Sequence, residues 1–475
     1  MIRRLLFLGI LLLACPLAAV DPRAQQDLSA GARSAQEDLS AGARSAQEEA
    51  RHVVLISLDG FPSWALDDPQ LPLPTLRQLA SRGALAATMR PVNPTVTWPN
   101  HTSLVTGVTP AKHGVLFNGS LIREPGVPPR VEPWRDKALM VRGRTLYDLA
   151  HARGMTTAQV DWVAIHNAPT ITWAFAERPD PSTAIPRELV AAGAVSQADV
   201  DGFASRHIVL RDQTWTDAAA HIIRKHQPHL LLFHLLNLDS THHRYGPRTH
   251  AALTTMAHLD AQVKTILDAI EDAGLASRTT VIVVSDHGFK TVKRLIRLNA
   301  ALADAGLLQV QDGKVVSCQA YVVPEGGSAI VYVTVPDPSG EILARARKAI
   351  AGVEGIATIV EPDGYATLGL PLPGDDHQMG ALFVLPKEGY AFNAAATAPV
   401  VTDAAEGSLG AHGYVASDPE LGAIFIASGA GIKAGVKVNA IENVDVAPTI
   451  ARLLGLQLDG ADGRVLTEIL ATSTR

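Results

Sequence analysis

The sequence predicts an α/β fold in which helices cover a mostly parallel sheet. Continuous apolar runs such as HVVLISLDG (52–60) recur along the chain, and such runs are typical of strands buried on both faces of a sheet. Amphipathic stretches of helical period lie between them, and most of these end in glycine, as helix C-termini often do. This alternation of strands with helices predicts a parallel arrangement.

The individual elements follow from these patterns. Strands are predicted at 52–60, 158–165, 228–239, 278–288 and 422–429. Helices are predicted at 73–83, 144–154, 215–226, 249–274 and, after Asp445, 447–456.

Residues 295–404 interrupt the alternation. Strand patterns at 328–335, 356–362 and 380–386 surround one helical stretch at 341–352. This grouping indicates a small α+β insertion that caps the main domain. The main domain is therefore predicted to comprise 51–294 and 405–475.

The composition describes an ordinary globular protein. The chain has 475 residues, of which 47% are hydrophobic and 19% charged, and its length fits two or three domains. The net charge of -6 offers no basic surface for a nucleic-acid backbone, so no specific nucleic-acid partner is expected. A small molecule is the expected partner, and the oligomeric state stays open.

The first 20 residues have the pattern of a secretory signal peptide. Arg3 and Arg4 supply the charged start, an apolar run follows, and small residues near Ala19 fit a cleavage site. The apolar run is short for a membrane span, and no later segment is as long. The protein is therefore expected to be exported, either to a periplasm or out of the cell.

The two cysteines add to this expectation. Cys15 leaves a lipid anchor open as the one route to a membrane, although Leu13 fits such a site poorly. After cleavage Cys318 is the only thiol of the mature chain, so no internal disulfide is available. Stability must then come from the core and from any bound metal.

Residues 21–50 are predicted to be a tether. The eleven residues DLSAGARSAQE occur twice, at 27–37 and 38–48. They are poor in bulky apolar side chains, and two copies are too few to build a solenoid. A low-complexity link between the signal peptide and the folded chain is the simplest interpretation.

The stretch from Asn93 to Asn118 predicts a loop that leads into a helix. Pro99 suits the first helical turn, and Asn100 or Thr97 is expected to cap its start. A hydroxyl at a helix N-terminus lies where backbone N–H groups and the helix dipole favour an anion. We therefore consider Thr97 as a nucleophile, with an ordinary helix cap as the alternative.

Three predicted strands end in a carboxylate. Asp59, Asp239 and Asp286 each follow an apolar run. Ligands of open parallel sheets bind at the carboxyl ends of the strands, so these side chains are expected to converge on one crevice. A single strand-terminal Asp is usually a turn residue, whereas three of them with neighbouring His or Gly indicate a site.

Histidines near these acids indicate a metal centre. Asp239 and His243, four residues apart in a loop after the strand, are expected to chelate one cation. Asp286, His287 and the glycine-flanked His412 add further ligands. This mixture of oxygen and nitrogen donors suits Zn²⁺, and Mn²⁺, Co²⁺ or Fe also fit it. The ligands are too many for one catalytic zinc, so two metals are predicted.

The order of these motifs resembles that of a known family. The motifs are Asp59-Gly, Thr97-Trp-Pro-Asn-His, LVTG (104–107), His113-Gly, Asp239-x-x-x-His243-x-Tyr-Gly-Pro, Ser-Asp286-His287-Gly, Gly-x-His412-Gly-Tyr and Asp445-Val-Ala-Pro-Thr. They resemble the nucleotide pyrophosphatase/phosphodiesterase family of the alkaline phosphatase superfamily over nearly all of 52–294 and 405–456. The resemblance implies an alkaline-phosphatase-like three-layer sandwich as the catalytic domain.

The resemblance also implies two zinc sites. One would be formed by Asp59, Thr97, Asp286 and His287, and the other by Asp239, His243 and His412. His242 occupies the place of the usual glycine of the family motif. His243 is the preferred ligand because it keeps the spacing to Tyr245-Gly246-Pro247, and His242 is the rival.

The implied reaction uses a threonine nucleophile. Zinc would ionise Thr97, which would attack phosphorus in line and form a phosphothreonine that water then hydrolyses. Asn118 aligns with the family residue that donates to a non-bridging phosphoryl oxygen, a donor whose removal typically costs about 3 kcal/mol of transition-state stabilisation. Without the resemblance, Asn118 reads equally well as a turn residue.

The remaining histidines are given structural interpretations. His101 and His113 belong to the family motif and are expected to orient the loop. Core or surface positions are expected for His166, His234, His258 and His377.

The substrate class is narrowed by what surrounds Thr97. A sulfatase needs Cys or Ser there, so sulfatase activity is rejected as the main function. No Lys-x-Arg pair follows 158–165 to bind the dianionic group of a monoester. Trp98 lies where the family packs an aromatic residue on the substrate, and stacking a nucleobase would contribute roughly 1–3 kcal/mol. A lipid or choline pocket, or simple burial, are the other interpretations of Trp98.

The leading hypothesis is hydrolysis of phosphodiester or pyrophosphate bonds, with nucleotides favoured and a nucleoside monophosphate released. A phosphomonoesterase or phosphonate hydrolase on the same two-zinc site is the alternative. A phosphoryl transferase and a non-catalytic pseudoenzyme are less favoured. The identity of the second ester group, as nucleotide, lipid or glycerol, is not predicted.

Overall fold

The computed structural model describes residues 52–374 and 378–471. The predicted signal peptide, the Cys15 anchor, the tether at 21–50 and His377 lie outside the described residues.

The strands of the described chain are two to seven residues long. They are β1 (His52–Leu58), β2 (Ala84–Arg90), β3 (Ser120–Ile122), β4 (Arg130–Glu132), β5 (Thr157–Val160), β6 (Trp173–Phe175), β7 (Leu230–Leu235), β8 (Thr279–Val284), β9 (Lys290–Thr291), β10 (Arg294–Ile296), β11 (Leu308–Gln311), β12 (Lys314–Cys318), β13 (Ala320–Pro324), β14 (Ala329–Val333), β15 (Ile356–Val360), β16 (Leu382–Pro386), β17 (Tyr390–Phe392), β18 (Val401–Asp403), β19 (Gly410–Ala411), β20 (Phe425–Gly429) and β21 (Val436–Glu442).

The helices lie mostly between the strands of the main sheet. They are α1 (Pro74–Arg82), α2 (Thr97–Thr106), α3 (Pro110–His113), α4 (Lys137–Met140), α5 (Leu146–Ala152), α6 (Ala184–Ala191), α7 (Gln197–Asp201), α8 (Ile208–His226), α9 (Asn237–Tyr245), α10 (His250–Asp272), α11 (Leu298–Asp304), α12 (Glu341–Ala351) and α13 (Val446–Leu453). Short 3-10 turns cover Ser63–Leu66, Phe203–Ser205, Pro362–Leu368, Pro419–Leu421 and Asn443–Asp445.

The main sheet has eight strands and is mostly parallel, as predicted. Its order is β21-β2-β20-β8-β1-β7-β5-β6. Strands β8, β1, β7, β5 and β6 run parallel to one another, but β20 is antiparallel to both of its neighbours. The sequence run at 422–429 was predicted to be one more parallel strand; an apolar run reports burial on both faces and carries no information on direction.

Alternate side chains of β1 enter two separate cores, which makes the sheet the middle of three layers. Val54, Ile56 and Leu58 pack with α1, α6, α8 and α10, whereas Val53 and Leu55 pack with α2, α5 and α13. The two-residue period of a strand sends neighbouring side chains to opposite faces. Helices on both faces therefore bury the whole strand.

A smaller antiparallel sheet, β13-β14-β16-β15, lies in the region predicted as an insertion. One face packs on α11 and α12. The other face packs on Leu116, Phe117 and Leu121, in the segment that follows α2. This smaller sheet thus supports the loop that carries Asn118.

Three local predictions are wrong in ways that matter for the site. Asp239 and His243 lie in helix α9 and not in a loop. Strand β5 ends at Val160, because the chain turns at Asp161, whose φ of 55° lies in the left-handed region. Helix α8 begins at Ile208 instead of 215, since exposed apolar side chains in its first turn obscure the amphipathic pattern.

No helix within the described residues is both long and apolar enough to cross a membrane.

Candidate metal centre and nucleophile

Three adjacent strands of the main sheet, β8, β1 and β7, place the predicted acids at one edge. Asp59 directly follows β1, and its N–H donates to the carbonyl of Leu235 in β7 at 2.9 Å. Asp286 follows β8 after one serine, and Asp239 is the third residue of α9, which begins soon after β7. Parallel strands end on the same side of a sheet, so the three carboxylates meet although they are far apart in sequence.

We call Asp59, Asp286 and His287 the buried ligand group, because none of these side chains has exposed surface. His287 Nε2 lies 3.5 Å from Asp59 Oδ1 and 3.1 Å from Asp286 Oδ2. The other oxygen of Asp286, Oδ1, accepts from the backbone N–H groups of Gly60 at 3.2 Å and His287 at 3.1 Å. Asp286 is therefore anchored through one oxygen and presents the other to His287.

We call Asp239, His243 and His412 the open ligand group, because it borders a cavity. Asp239 Oδ1 lies 3.4 Å from His243 Nε2 and 3.6 Å from His412 Nε2. The His243 side chain is 38% exposed. In helix α9 the four-residue spacing places Asp239 and His243 on one face.

The backbone fixes the tautomer of all three histidines. Nδ1 faces a carbonyl oxygen in His287 (Gly288, 3.2 Å), His243 (Gly410, 3.0 Å) and His412 (Thr95, 2.9 Å). A carbonyl can only accept, so Nδ1 carries the hydrogen and Nε2 presents its lone pair. This is how metal-binding histidines are usually held.

Four buried atoms of the two groups lack a hydrogen-bond partner among the described residues. They are Asp59 Oδ1, Asp286 Oδ2, Asp239 Oδ1 and His287 Nε2. Buried polar atoms without a partner are costly, and lone pairs that converge in this way fit a cation. The donor set, carboxylate oxygen and neutral imidazole nitrogen, suits zinc.

The distances do not divide the ligands as the resemblance implies. Two sets have ligand atoms within 4.8 Å of one another, namely Asp59 with Asp286 and His287, and Asp239 with His287 and His412. His287 belongs to both sets, and its ring stacks on His412 with centroids 3.9 Å apart. The two groups are thus contiguous.

Burial shifts the pKa values of the acids and histidines at the site. Burial raises the pKa of Asp59 well above its usual value, and the neighbouring charges of Asp286 and Asp239 raise it further. Burial also lowers the pKa of His287 and of His412 to about 3. For Asp239, burial alone would raise the pKa, but His243 and His412 outweigh it, so the pKa of Asp239 is lowered. A bound cation would relieve the repulsion between these acids.

His243 and His242 differ in what they face. His242 is buried against the edge of Phe289, with ring centroids 4.8 Å apart, and neither of its ring nitrogens has a hydrogen-bond partner among the described residues. Burial lowers its pKa to about 3. The structure therefore brings His243, and not His242, to Asp239.

Thr97 is the first residue of α2 and not its cap. The N-cap position belongs to Val96, whose side chain cannot accept a hydrogen bond. Asn100, the other predicted cap, is buried, and its Oδ1 accepts from the backbone N–H of Val92 at 2.8 Å. The Thr97 hydroxyl is left free of hydrogen bonds to the described residues.

Asn118 supplies the missing cap from the far end of the stretch. Its Oδ1 accepts from the backbone N–H of Trp98 at 3.0 Å, while the residue itself is exposed. Because Oδ1 is occupied, the amide N–H group is directed away from the helix and is available to a ligand beside Thr97.

His101 and His113 hold this stretch in place, as predicted for orienting residues. His101 Nδ1 donates to the carbonyl of Thr97 at 2.9 Å and lies 3.8 Å from Asp286 Oδ2. His113 Nδ1 accepts from the N–H of Val115, and Nε2 lies 3.0 Å from the hydroxyl of Ser103. His101 thus links the start of α2 to the buried ligand group.

Two adjacent cavities lie in front of Thr97. A cavity of about 370 Å³ is lined by residues that include Thr97, Trp98, Asn118, Asp239, His243 and His412. A second cavity of about 330 Å³ lies beyond it and shares Trp98, Pro133, Trp134, Val163, Glu177 and Arg178 with the first. Trp98, which is buried, therefore lines both the space beside the open ligand group and a mainly apolar one.

His234, predicted to be an ordinary core residue, contacts the site directly. It is buried in β7, and its Nε2 lies 3.1 Å from Asp59 Oδ2. Its Nδ1 faces Asp161, a residue that the sequence reasoning missed. The sequence did contain a sign of this role of His234, because it is a lone histidine inside the apolar run LLLFHLL, on the strand next to β1. His166 is exposed and His258 is half-buried.

Comparisons with known proteins agree with this geometry. A sequence model of the type I phosphodiesterase / nucleotide pyrophosphatase family matches residues 53–415. Ectonucleotide pyrophosphatase/phosphodiesterase family member 1 of Mus musculus is 25% identical over 415 residues, which are 86% of this chain and 41% of that protein. Bis(5'-adenosyl)-triphosphatase of Xenopus laevis is 22% identical over 413 residues, which are 85% of this chain and 78% of that protein. The chain spans about two-fifths of the length of the mouse relative.

Solved structures give the same result for the fold. Human ectonucleotide pyrophosphatase/phosphodiesterase 5 matches with a TM-score of 0.67 and 17% identity, over 89% of this chain and 100% of that chain. An inactive Thr-to-Ala variant of the murine protein, in complex with AMP, matches with the same score and the same coverage. The predicted alkaline-phosphatase-like fold is confirmed by these matches.

Proposed function

The chain belongs to the type I phosphodiesterase / nucleotide pyrophosphatase family, and from this premise we propose that it is a metal-dependent hydrolase of phosphodiester or pyrophosphate bonds. One observation carries the proposal. Four buried ligand atoms without hydrogen-bond partners among the described residues converge at one edge of the sheet, and Thr97, at the start of α2, lines the same cavity as Asp239, His243 and His412. Neither an ordinary helix cap nor a structural ion-pair network requires that combination.

Two divalent cations, zinc by donor type, would be held by the two ligand groups. The buried ligand group together with Thr97 would bind one, and the open ligand group the other, with His287 close to both. When bound, zinc lowers the pKa of a hydroxyl or water and offsets charge on phosphoryl oxygens.

Thr97 would be the nucleophile. Thr97 lies at the start of α2, where an attacked phosphoryl group would face backbone N–H groups and the positive end of the helix dipole. Attack forms the Thr97–phosphorus bond and breaks the bond to the leaving alcohol or phosphate. Water then hydrolyses the phosphothreonine and frees the threonine.

Asn118 would bind a non-bridging phosphoryl oxygen. Its Oδ1 is held by the N–H of Trp98, so its amide N–H group is already oriented. A donor that needs no reorganisation stabilises developing charge most effectively.

The two cavities would hold the rest of the substrate. Trp98 offers an apolar face between them, suited to a nucleobase. Two relatives point to nucleotides: one is named a bis(5'-adenosyl)-triphosphatase, and one solved structure contains AMP. We therefore favour a nucleotide substrate and release of a nucleoside monophosphate.

Export and a capping role for the insertion also belong to this proposal. Export agrees with the names of the relatives, which are called ectonucleotide enzymes. Residues 295–404 are proposed as a cap whose sheet supports the loop of Asn118.

A substrate panel on the zinc-loaded protein tests the proposal. Nucleotide diesters, dinucleoside polyphosphates, glycerophosphodiesters and monoesters should be compared, with the purified wild type and the Thr97→Ala variant. We expect hydrolysis of nucleotide diesters with release of nucleoside monophosphate, lost on chelation and in Thr97→Ala. Monoester hydrolysis that exceeds diester hydrolysis would overturn the assignment in favour of a phosphomonoesterase. A protein that binds two zincs but hydrolyses no phosphoryl ester would identify a pseudoenzyme.

A further inference from the structure

We propose that His234 and Asp161 form a positioning pair that determines which oxygen of Asp59 faces the metal. The inference rests on the proposed function, in which Asp59 is a metal ligand. It adds two residues to the site that no motif of the sequence identified.

The first half of the pair is a hydrogen bond from His234 to Asp59. His234 lies in β7 opposite Ser57 of β1, two residues before Asp59, and its ring is buried. Its Nε2 is 3.1 Å from Asp59 Oδ2. A carboxylate oxygen accepts, so Nε2 carries the hydrogen and donates it.

The second half holds the His234 ring. Nδ1 lies 3.0 Å from the backbone carbonyl oxygen of Asp161 and 3.2 Å from its carboxylate Oδ2. Both are acceptors, so Nδ1 donates as well. Asp161 lies directly after β5, and its φ of 55° bends the chain back toward β7. The Asp161 carboxylate is buried, and neither of its oxygens has a hydrogen-bond partner among the described residues, because the hydrogen bond of Nδ1 goes to the carbonyl oxygen.

The result is a chain of contacts across three adjacent strands, β5, β7 and β1, at the edge that bears the site. With Oδ2 held by His234, Asp59 cannot rotate freely about its carboxylate bond. Oδ1 is then the oxygen without a partner, 3.5 Å from His287 Nε2. Asp59 is thus set to bind a metal through one oxygen only.

The His234 ring also contacts His101, the residue that bonds the first turn of α2. His101 packs edge-on against His234, with ring centroids 4.5 Å apart, and His101 Nδ1 donates to the carbonyl of Thr97. A shift of the His234 ring would therefore be felt by both the Asp59 carboxylate and the first turn of α2. Hydrogen bonds to ligating carboxylates are a common means of tuning metal affinity.

Zinc affinity tests the proposal independently of activity. Zinc binding to the full chain is measured by competition with a chromophoric chelator, and the zinc-to-protein ratio and the Co²⁺ absorption spectrum are recorded. His234→Ala is expected to weaken one of two zincs by about 10- to 100-fold, the typical effect of losing such a partner, and to change the Co²⁺ spectrum. The other zinc should bind as in the wild type.

Three further variants separate positioning from packing. His234→Gln places an amide N–H near the position of Nε2 and should recover most of the affinity. Asp161→Ala removes the carboxylate 3.2 Å from Nδ1 but keeps the carbonyl that Nδ1 bonds, so it should weaken the same zinc by less than His234→Ala does. His52→Ala is the control: His52 is also a buried histidine, at the opposite end of β1, and bonds the carbonyl of Pro228.

The outcomes are distinct. If folded His234→Ala binds both zincs as the wild type does, or if folded His234→Gln binds as weakly as His234→Ala, the positioning role is excluded. Should His234→Ala not fold, Asp161→Ala decides: weaker binding of one zinc supports the positioning pair, and wild-type binding of both zincs excludes it. A wild type that binds zinc but hydrolyses no diester contradicts the proposed function and leaves this comparison of affinities intact.

Discussion

The two halves of the candidate metal centre are built differently. The buried ligand group is attached to strand ends, has no exposed surface and is anchored by hydrogen bonds to one oxygen of each carboxylate. The open ligand group is carried by helix α9 and a loop, and His243 is 38% exposed. Burial makes the first half depend on a cation for its charge balance, whereas water can replace a lost ligand in the second.

The two halves are expected to differ most in how much activity is lost when one ligand is removed from each. Asp286→Asn should lose one metal and reduce kcat/KM by about 10³-fold or more, because several kcal/mol of charge stabilisation disappear. His243→Gln should have a smaller effect, which added zinc partly reverses. Metal content and diester hydrolysis are measured at increasing zinc concentrations. Equal losses in the two variants would remove the distinction between the halves.

Metal removal should destabilise the protein. Chelation is expected to lower the free energy of unfolding by about 4 kcal/mol for each of the two zinc sites, relative to protein in free zinc at about 1,000 times the dissociation constant. Urea unfolding with and without chelator measures this change in the free energy of unfolding.

Asp286→Asn is the matched control for that experiment. In the metal-free state it should be more stable than the wild type, because the charge of Asp286 contributes to the raised pKa of Asp59. A less stable metal-free variant would show that repulsion in the buried half is unimportant.

Asn118→Ala tests a residue on the exposed side of the site that is not a metal ligand. The change should reduce kcat/KM by about 10²- to 10³-fold, or about 3 kcal/mol, while zinc binding is unchanged. The free energy of unfolding should fall by only about 1 kcal/mol, since one helix-cap hydrogen bond is lost. Kinetics and urea unfolding are compared with Asn439→Ala as an exposed control, since Asn439 lies on the edge strand β21 and lines neither cavity. A large stability loss with little kinetic effect contradicts the assigned role.

The last prediction concerns the stability of the metal-free protein in acid. Burial lowers the pKa of His412 to about 3, below the 6.5 of the unfolded chain, so the unfolded state binds the proton first. In the metal-free protein His412 therefore makes stability fall as the pH drops below about 6.5, by at most ~1.4 kcal/mol per pH unit. His412→Gln should remove this contribution. Urea unfolding between about pH 7 and 4 measures the difference in slope, and parallel slopes would contradict it.

The sequence was sufficient for much of the fold and for most candidate ligands. Apolar runs ending in Asp59 and Asp286 predicted both the strands and the edge at which they meet. The sequence did not reveal the direction of every strand, because β20 has the same kind of apolar run as the parallel strands but runs antiparallel. Helix α9 was predicted to be a loop because the group that caps it is remote in sequence. The carboxylate of Asp212 in α8 accepts from the N–H groups of Leu236 and Asn237.

Remote capping recurs, and it explains why local patterns failed. Asp260 in α10 accepts from the N–H groups of Thr75 and Leu76 at the start of α1. Asn118 does the same for Trp98 at the start of α2. A window of sequence around these helix starts contains no capping residue in the right place, since the partner comes from another element.

The sequence alone therefore determined the residue types, their order and the family that they indicate. Only the tertiary structure decided which atoms are free. It showed that Asn118 caps α2 with its oxygen, and that His234 turns Asp59 so that Oδ1 lacks a partner. The physical reason is that a motif specifies which side chains are present, whereas rotamers, tautomers and burial are set by neighbours that are distant in the chain.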